Sequence, residues 1–170
     1  MTEQPLSQEE ILHLFTSSAE QLEELVSDLP DTELDQRTAP GEWSIRQIVH
    51  HVADDGDVFS MCIKKALATP GVAVRFEGFP GNEPWAEGMR FNSRSIAPAL
   101  RLIAAHRSYI SCMARDFSDA WDCTVGFANS EGVEQGRMNV GEMLKMLAEH
   151  MQEHVCTIEK IKACKQQAVV

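Results

Sequence analysis

The chain has 170 residues, and its 26 acidic residues exceed its 15 basic residues to give a formal net charge of −11. Its length, with 44% hydrophobic residues, predicts one soluble domain over residues 1–170 with a single sizeable core. So acidic a chain repels a phosphate backbone, and we therefore exclude nucleic acid as a predicted partner. Aromatic residues make up only 6% of the chain, a composition that favours an all-α helical bundle over a β-sandwich or barrel.

The cysteines predict no covalent framework. Five are present, at positions 62, 112, 123, 156 and 164, and no two form a C-x-x-C pair. An odd number at scattered positions indicates neither a set of disulfides nor a thiolate zinc site. The sequence shows no basic-then-apolar leader and no run of 18 apolar residues. We therefore expect a cytoplasmic protein that does not bind a membrane.

Two segments in the first half of the chain show the 3.6-residue period of an amphipathic helix, and each begins with a capping box. Ser7 and Glu10 form the first box, and the apolar positions that follow it extend to Leu29. Ser44 and Gln47 form the second box. These signals predict the first two helices of a bundle.

A long connection follows the second helix. Residues 68–92 are rich in proline and glycine, but they also contain Phe76, Phe79 and Trp85. A connection of this length usually covers a site or an interface. We predict a long loop with apolar anchors between helices 2 and 3.

Two further helices are predicted in the second half of the chain. The third begins near Ser93 or Ser95, and the fourth begins at Asn139 with Glu142 as its capping-box partner. Between them, residues 118–138 alternate apolar and polar positions before a turn. This segment is predicted to be a short hairpin or an irregular turn.

Three histidines lie on or beside the apolar faces of the second and fourth predicted helices. Taking His150 as 0° and 100° per residue, the apolar side chains of the fourth helix fall between about 20° and 120°, and His154 falls at about 40°. The same count places His51 on the flank of the apolar face of the second helix, while His50, about 100° away, is expected to face solvent. Neutral imidazoles from two helices that face one another are suited to a divalent cation with an open coordination position.

Other interpretations of these histidines remain open. A single histidine beside an apolar face is more often a hydrogen-bonded core or boundary residue. The string from His150 to His154 also matches the H-x-x-E-H of inverted zinc peptidases, with Glu153 as the base. Only 16 residues follow His154, too few for the rest of a peptidase, so we interpret this match as accidental. His13 and His106 lie away from the apolar faces and are expected at the surface or its boundary.

Two charged residues are candidates for roles beside these histidines. Arg107 falls on the apolar face of the third helix, where a guanidinium needs an anionic partner. That partner is either a structural carboxylate, Asp54 or Asp55, or a carboxylate of the substrate. Asp54, three residues after His51, either orients a ligand or is an ordinary solvated carboxylate.

Three segments of the sequence together form a recognisable pattern. They are Gly41-Glu42-Trp43-Ser44, His51-Val52-Ala53-Asp54, and Val140-Gly141-Glu142-Met143-Leu144 leading to His150 and His154. With these segments the chain resembles the DinB/YfiT-like superfamily of metal-dependent enzymes. The resemblance implies a four-helix bundle with up-down-down-up topology, a divalent metal ion, zinc or nickel, held by three histidines, and a homodimer. His51, His150 and His154 are the metal ligands that it implies. Many relatives also carry a histidine four positions before the first of the late pair, where this chain has Met146.

Relatives of known activity imply low-molecular-weight thiol S-transfer or thiol-dependent isomerisation. The leading hypothesis is therefore a metal-dependent transferase that activates a small thiol for attack on a small-molecule substrate, with Arg107 neutralising a carboxylate of the thiol or substrate. The alternative enzyme is a hydrolase that uses metal-bound water, with Glu153 or Asp54 as proton shuttle. A non-catalytic protein that binds a metal or a small molecule is the third hypothesis.

Overall fold

The computed structural model describes residues 6–168, with side chains in the last helix as far as residue 164. The two ends of the predicted domain, residues 1–5 and 169–170, lie outside the described residues. No helix among the described residues combines the length and apolar character needed to span a bilayer.

Four long helices build the bundle, and they are the four that the sequence predicts. Helix α1 (Gln8–Val26) packs against both α5 (Ala97–Asp116) and α6 (Val140–Ala168). Helix α3 (Ile45–Ala68) packs against the same two helices. The predicted up-down-down-up order of their directions stays a prediction. The helices are α1 (Gln8–Val26), α2 (Asp31–Leu34), α3 (Ile45–Ala68), α4 (Asn82–Gly88), α5 (Ala97–Asp116) and α6 (Val140–Ala168).

The predicted capping boxes fix where the long helices begin. In the box of α3, the Ser44 N–H donates to Gln47 Oε1 at 3.1 Å and the Gln47 N–H donates to Ser44 Oγ at 3.3 Å. In the box of α6, the Asn139 N–H donates to Glu142 Oε2 at 2.7 Å, and the Glu142 N–H donates to Asn139 Oδ1 at 2.8 Å. The box of α1 at Ser7 is also formed. Each box satisfies N–H groups that the first helical turn leaves without a partner.

A small sheet accompanies the bundle, and the all-α prediction included only its hairpin, as one of two possibilities. Strands β2 (Thr124–Ala128) and β3 (Glu134–Asn139) form the antiparallel hairpin that was predicted as one possibility for residues 118–138. A third strand, β1 (Ala73–Arg75), pairs in parallel with β2. The fold is therefore mostly helical, with a three-stranded sheet in the order β1-β2-β3.

The segment 68–92 is more structured than the long loop predicted for it. It contains β1, helix α4 and the start of a 3-10 turn at Phe91–Ser93. Strand β1 pairs with β2, which lies more than forty residues further along the chain. Phe91, in the 3-10 turn, is buried against α3. These long-range contacts give the segment its structure, and they place its aromatic side chains beside α3.

Candidate metal centre

Three histidines from two helices meet in one cluster, which we call the histidine cluster: His51 on α3, and His150 and His154 on α6. His150 Nε2 lies 3.4 Å from His51 Nε2 and 3.0 Å from His154 Nε2. The three candidate ligand atoms all lie within 4.8 Å of one another. Nitrogen ligands at the usual zinc distance in a tetrahedral site are about 3.3 Å apart, so this spacing suits a small divalent cation.

Helix geometry accounts for this convergence. His150 and His154 are one turn apart, so both imidazoles project from the same side of α6. Helix α3 packs against α6, and this packing brings His51 to the two histidines of α6. The His51 ring meets the rings of His150 and His154 edge to face, with centroids 5.1 and 5.2 Å apart. The indole of Trp43, just before the start of α3, packs edge to face on the His51 ring at 4.7 Å. The three histidines singled out from the sequence are thus brought together.

Burial keeps these imidazoles neutral. It lowers the pKa of His51 to about 3 and that of His154 to about 4, with a smaller effect from the neighbouring histidines. Burial also lowers the pKa of His150. A neutral imidazole has a free lone pair, which is the state that binds a metal ion. The cluster is therefore ready to bind a cation at neutral pH without first releasing protons.

Asp55 is a site residue that the sequence analysis missed, since it was considered only as a partner for Arg107. Its Oδ2 lies 3.4 Å from His51 Nε2 and 3.5 Å from His150 Nδ1. Burial, and to a lesser extent the charge of Asp54, raises the pKa of this carboxyl to about 6. Asp55 is four residues after His51, so one turn of α3 places both side chains on the same face. That spacing was the signal that could have identified it.

Asp54 and Glu153 lie on different sides of the histidine cluster. Asp54 Oδ2 accepts a hydrogen bond of 2.8 Å from Nε1–H of Trp85, so this carboxylate holds part of the segment 68–92 against α3. Glu153 is exposed and lines a shallow cavity on the α6 side with Asp55 and His150. Both stay candidates for a proton shuttle.

Arg107 has different partners from those predicted. Its guanidinium donates to the main-chain oxygen of Phe15 at 3.0 Å and to that of Leu147 at 3.1 Å. It also lies over the Phe15 ring, 4.1 Å from the centroid. The sequence predicted a carboxylate of Asp54 or Asp55, or of the substrate, as the partner of Arg107. The structure instead pairs its guanidinium with main-chain carbonyl groups of two helices. Arg107 therefore joins α5 to α1 and α6, and we give it no catalytic role.

The angular count predicted that His50 faces solvent, and this prediction is wrong. Its residue is only 2% exposed, its ring stacks on Phe91 at 5.3 Å, and its Nε2 lies 3.4 Å from the main-chain oxygen of Arg94. The segment from Phe91 to Arg94 covers this side of α3. The expectation for His13 is met, because its side chain is exposed, and His106 is half-buried at the boundary.

His51, one member of the histidine cluster, lines a cavity of about 590 Å³, which we call the aromatic cavity. His51 and Asp55 form part of its wall, and the segment 68–92 supplies most of the opposite side. Among the described residues that line it there is no serine, threonine, cysteine or lysine. The volume suits a small molecule.

A cluster of neutral imidazoles inside a four-helix bundle is the arrangement of a protein that binds a divalent metal ion. The chain belongs to the DinB superfamily, whose family model matches residues 14–158. This match confirms the resemblance found in the sequence. A protein of Oceanobacillus iheyensis, named as a candidate metal-dependent hydrolase, is 29% identical over 142 residues, which are 82% of this chain and 77% of that protein.

Solved structures share the fold. YfiT from Bacillus subtilis, described as a probable metal-dependent hydrolase with an unusual four-helix bundle topology, matches with a TM-score of 0.81 and 18% identity over 98% of this chain and 93% of its own. The mycothiol-dependent maleylpyruvate isomerase matches with a TM-score of 0.66 and 15% identity, over 90% of this chain and 61% of that chain. The bundle is therefore a scaffold used by proteins with different described activities.

Proposed function

We propose that the protein is a metal-dependent enzyme in which His51, His150 and His154 hold one divalent cation, zinc or nickel. The observation that carries the proposal is the histidine cluster itself, in which one buried and two half-buried neutral imidazoles converge and His51 lines the aromatic cavity. When bound, such an ion lowers the pKa of a coordinated thiol or water molecule towards neutrality. The names of the Oceanobacillus and Bacillus proteins, which describe metal-dependent hydrolases, support an enzyme of this general kind.

We further propose that the nucleophile is a small thiol that attacks an electrophilic carbon of a substrate in the aromatic cavity. A carbon–sulfur bond forms, the S–H bond of the thiol breaks, and the leaving group of the substrate departs as an anion. The lack of a hydroxyl, thiol or amine side chain of Ser, Thr, Cys or Lys among the described lining residues supports a nucleophile from solution. The mycothiol-dependent isomerase with the same fold supports a thiol in particular. Asp55, beside His51 and His150, is placed to accept the proton that the thiol releases.

Hydrolysis is the second candidate, and the descriptions of the Oceanobacillus and Bacillus proteins as metal-dependent hydrolases favour it. The same Asp55 carboxylate that can take a proton from a thiol can take one from water, and its raised pKa of about 6 leaves it mostly ionised at neutral pH. The two reactions differ in the co-substrate that they require. Hydrolysis proceeds in the absence of any thiol.

An assay with and without thiol separates the two candidates. Zinc- or nickel-loaded protein is incubated with 1-chloro-2,4-dinitrobenzene and either cysteamine or 2-mercaptoethanol, and separately with p-nitrophenyl acetate without thiol. Thiol transfer predicts conjugation above the uncatalysed rate that is lost on chelation and restored by the metal. Ester cleavage without thiol, with no catalysed conjugation, would favour the hydrolase. Stoichiometric metal with neither activity on these or broader substrate sets would contradict a catalytic role.

Asp55→Asn is expected to weaken metal binding about tenfold or more. The Asp55 carboxylate lies close to Nδ1 of His150, where it can accept that N–H and leave Nε2 free for the cation. Loss of such a partner typically costs 10- to 100-fold in metal affinity, on the order of 1.4–2.7 kcal/mol. Competition with a coloured zinc chelator measures the effect.

Asp57→Asn is the matched control for this experiment. It removes the same charge from the same helix, but the Asp57 side chain is 70% exposed and pairs with His106 rather than with the histidine cluster. Equal loss of affinity in the two variants would show that Asp55 acts only through its long-range charge, and the positioning role would be discarded.

A further inference from the structure

The aromatic cavity gathers apolar side chains that a protein surface normally keeps apart. Phe76, Phe79, Trp85, Met89 and Val58 are each 39–52% exposed, and all five line this cavity. They are five of the eleven large apolar residues that are exposed in the described part of the chain. Concentration of exposed apolar surface in one concave place indicates a binding site.

The aromatic rings are arranged around the cavity rather than packed away from it. Phe79 and Trp85 lie 5.8 Å apart between centroids with their planes tilted by 53°, and the bond from Trp85 to Asp54 fixes the indole. Phe76 stacks on Phe127 at 6.2 Å, and Phe127 also contacts Phe59. Rings that are held in this way offer fixed faces to a ligand, and an aromatic face attracts a cation.

The charged residues that line the same cavity are all acidic. They are Asp54, Asp55, Asp57 and Glu77, and neither lysine nor arginine occurs among the described lining residues. The neighbouring positive groups compensate only part of this charge. Arg75 lies 3.8 Å from Glu77, and burial lowers the pKa of His106, the partner of Asp57, which favours its neutral form.

A cation in the histidine cluster does not reverse this balance. Three neutral imidazoles add no charge, so a divalent ion contributes two positive charges against the four carboxylates of the lining. A ligand that carries a carboxylate or phosphate would therefore meet like charge in this lining. A ligand with an ammonium group would meet opposite charge and aromatic faces together.

We propose that the molecule bound in the aromatic cavity carries an ammonium group on an apolar body about the size of an aromatic ring. This inference deepens the proposed function and rests on it, in that it takes the cavity beside the histidine cluster as the place where the substrate binds. The apolar body contacts the rings of Phe76, Phe79 and Trp85. The ammonium group lies towards Asp57 and Glu77, the two carboxylates of the lining whose side chains are 70% and 65% exposed.

Three probes of the same size test the charge preference. Phenethylamine is a cation at neutral pH, 2-phenylethanol is neutral, and 3-phenylpropionate is an anion. Calorimetric titration of metal-loaded protein is expected to show that phenethylamine binds about tenfold more tightly than 2-phenylethanol, with 3-phenylpropionate the weakest. Equal binding of the three, stronger binding of the anion, or no binding of the amine at millimolar concentration would overturn the proposal.

Variants of two exposed carboxylates test whether phenethylamine binds in this cavity. Asp57→Asn with Glu77→Gln is expected to weaken phenethylamine about fivefold and to leave 2-phenylethanol unchanged, because each exposed ion pair contributes about a two- to threefold effect. Both side chains are mostly exposed, at 70% and 65%, so the variants are expected to fold. Glu159→Gln, an exposed residue of α6 outside the cavity, is the control. Equal weakening by the control would overturn the location.

Metal content and oligomeric state, measured on the same samples, separate the possible failures. Amine-selective binding by protein that holds no metal would contradict the proposed function and leave the inference standing. Metal-dependent turnover without preference for the amine would contradict the inference alone. If light scattering shows a dimer and no probe binds to it, the inference fails.

Discussion

His154→Ala is expected to weaken binding of zinc or nickel about 100- to 1,000-fold and to remove any metal-dependent turnover. A metal site of this kind contributes roughly 10–16 kcal/mol in total, so one ligand of about four accounts for roughly 2.5–4 kcal/mol. His154 Nε2 lies 3.0 Å from Nε2 of His150, and both are within reach of one ion with His51. Competition titration against a chelator gives the affinity, and the assay of thiol conjugation gives the turnover.

Two further variants make this result specific. His13→Ala removes an exposed histidine from α1 and is expected to keep full metal affinity. His154→Gln keeps a polar side chain of similar length, so it tests whether the loss follows from misfolding of α6. A circular dichroism spectrum and an unfolding curve like those of the wild type, together with lost affinity, support the ligand role. Unchanged affinity in a folded His154 variant would contradict it.

Arg107→Ala is expected to lower the free energy of unfolding by about 3 kcal/mol while leaving metal affinity unchanged. The residue is 5% exposed, and its guanidinium donates to main-chain oxygens of both α1 and α6 while covering the Phe15 ring. Truncation removes these hydrogen bonds and leaves a cavity between three helices. Urea unfolding followed by circular dichroism measures the loss.

Arg107→Met separates packing from charge. Burial lowers the pKa of Arg107 to about 9, so the group is still a cation at neutral pH and its desolvation opposes folding. Methionine fills much of the same space without that cost, so we expect it to recover at least half of the stability lost in the alanine variant. Arg101→Ala, an exposed arginine on the same helix, is the control and should change stability by less than about 0.5 kcal/mol.

The methionine variant also tests the catalytic role that the sequence suggested for Arg107. If it folds, holds metal and turns over substrate at the wild-type rate, Arg107 is structural, as its carbonyl partners indicate. A large rise in KM with stability and metal content preserved would show that the guanidinium contacts the substrate, and our placement of Arg107 would be wrong.

Local signals predicted the helices well, because a helix depends on residues a few positions apart. The boxes at Ser7, Ser44 and Asn139 all form as predicted. The third helix lacks such a box and begins at Ala97, two to four residues after the predicted Ser93 or Ser95. The 3.6-residue period also placed His51, His150 and His154 on or beside the apolar faces of their helices. Because those faces pack together in the bundle, the three histidines meet.

Features that depend on distant parts of the chain were missed or misplaced. His50 was assigned to solvent because the angular count sees only the residues of α3, whereas Phe91 and Arg94, forty residues later, cover it. Strand β1 has three residues, too few to show an alternating pattern, and its partner β2 is remote in sequence. The four-residue spacing places Asp55 on the same face of α3 as His51. The sequence does not show, however, that His150 approaches the Asp55 carboxylate from α6, and this contact makes Asp55 part of the site.

The central claim is that the three histidines hold a metal ion, and the metal content of the purified protein tests it most directly. Elemental analysis of protein expressed and purified without an affinity tag is expected to give about one divalent ion per chain. The His51→Ala, His150→Ala and His154→Ala variants are expected to give a small fraction of that amount. Wild-type protein with no stoichiometric metal after incubation with zinc and nickel, or undiminished metal in all three variants, would contradict the account.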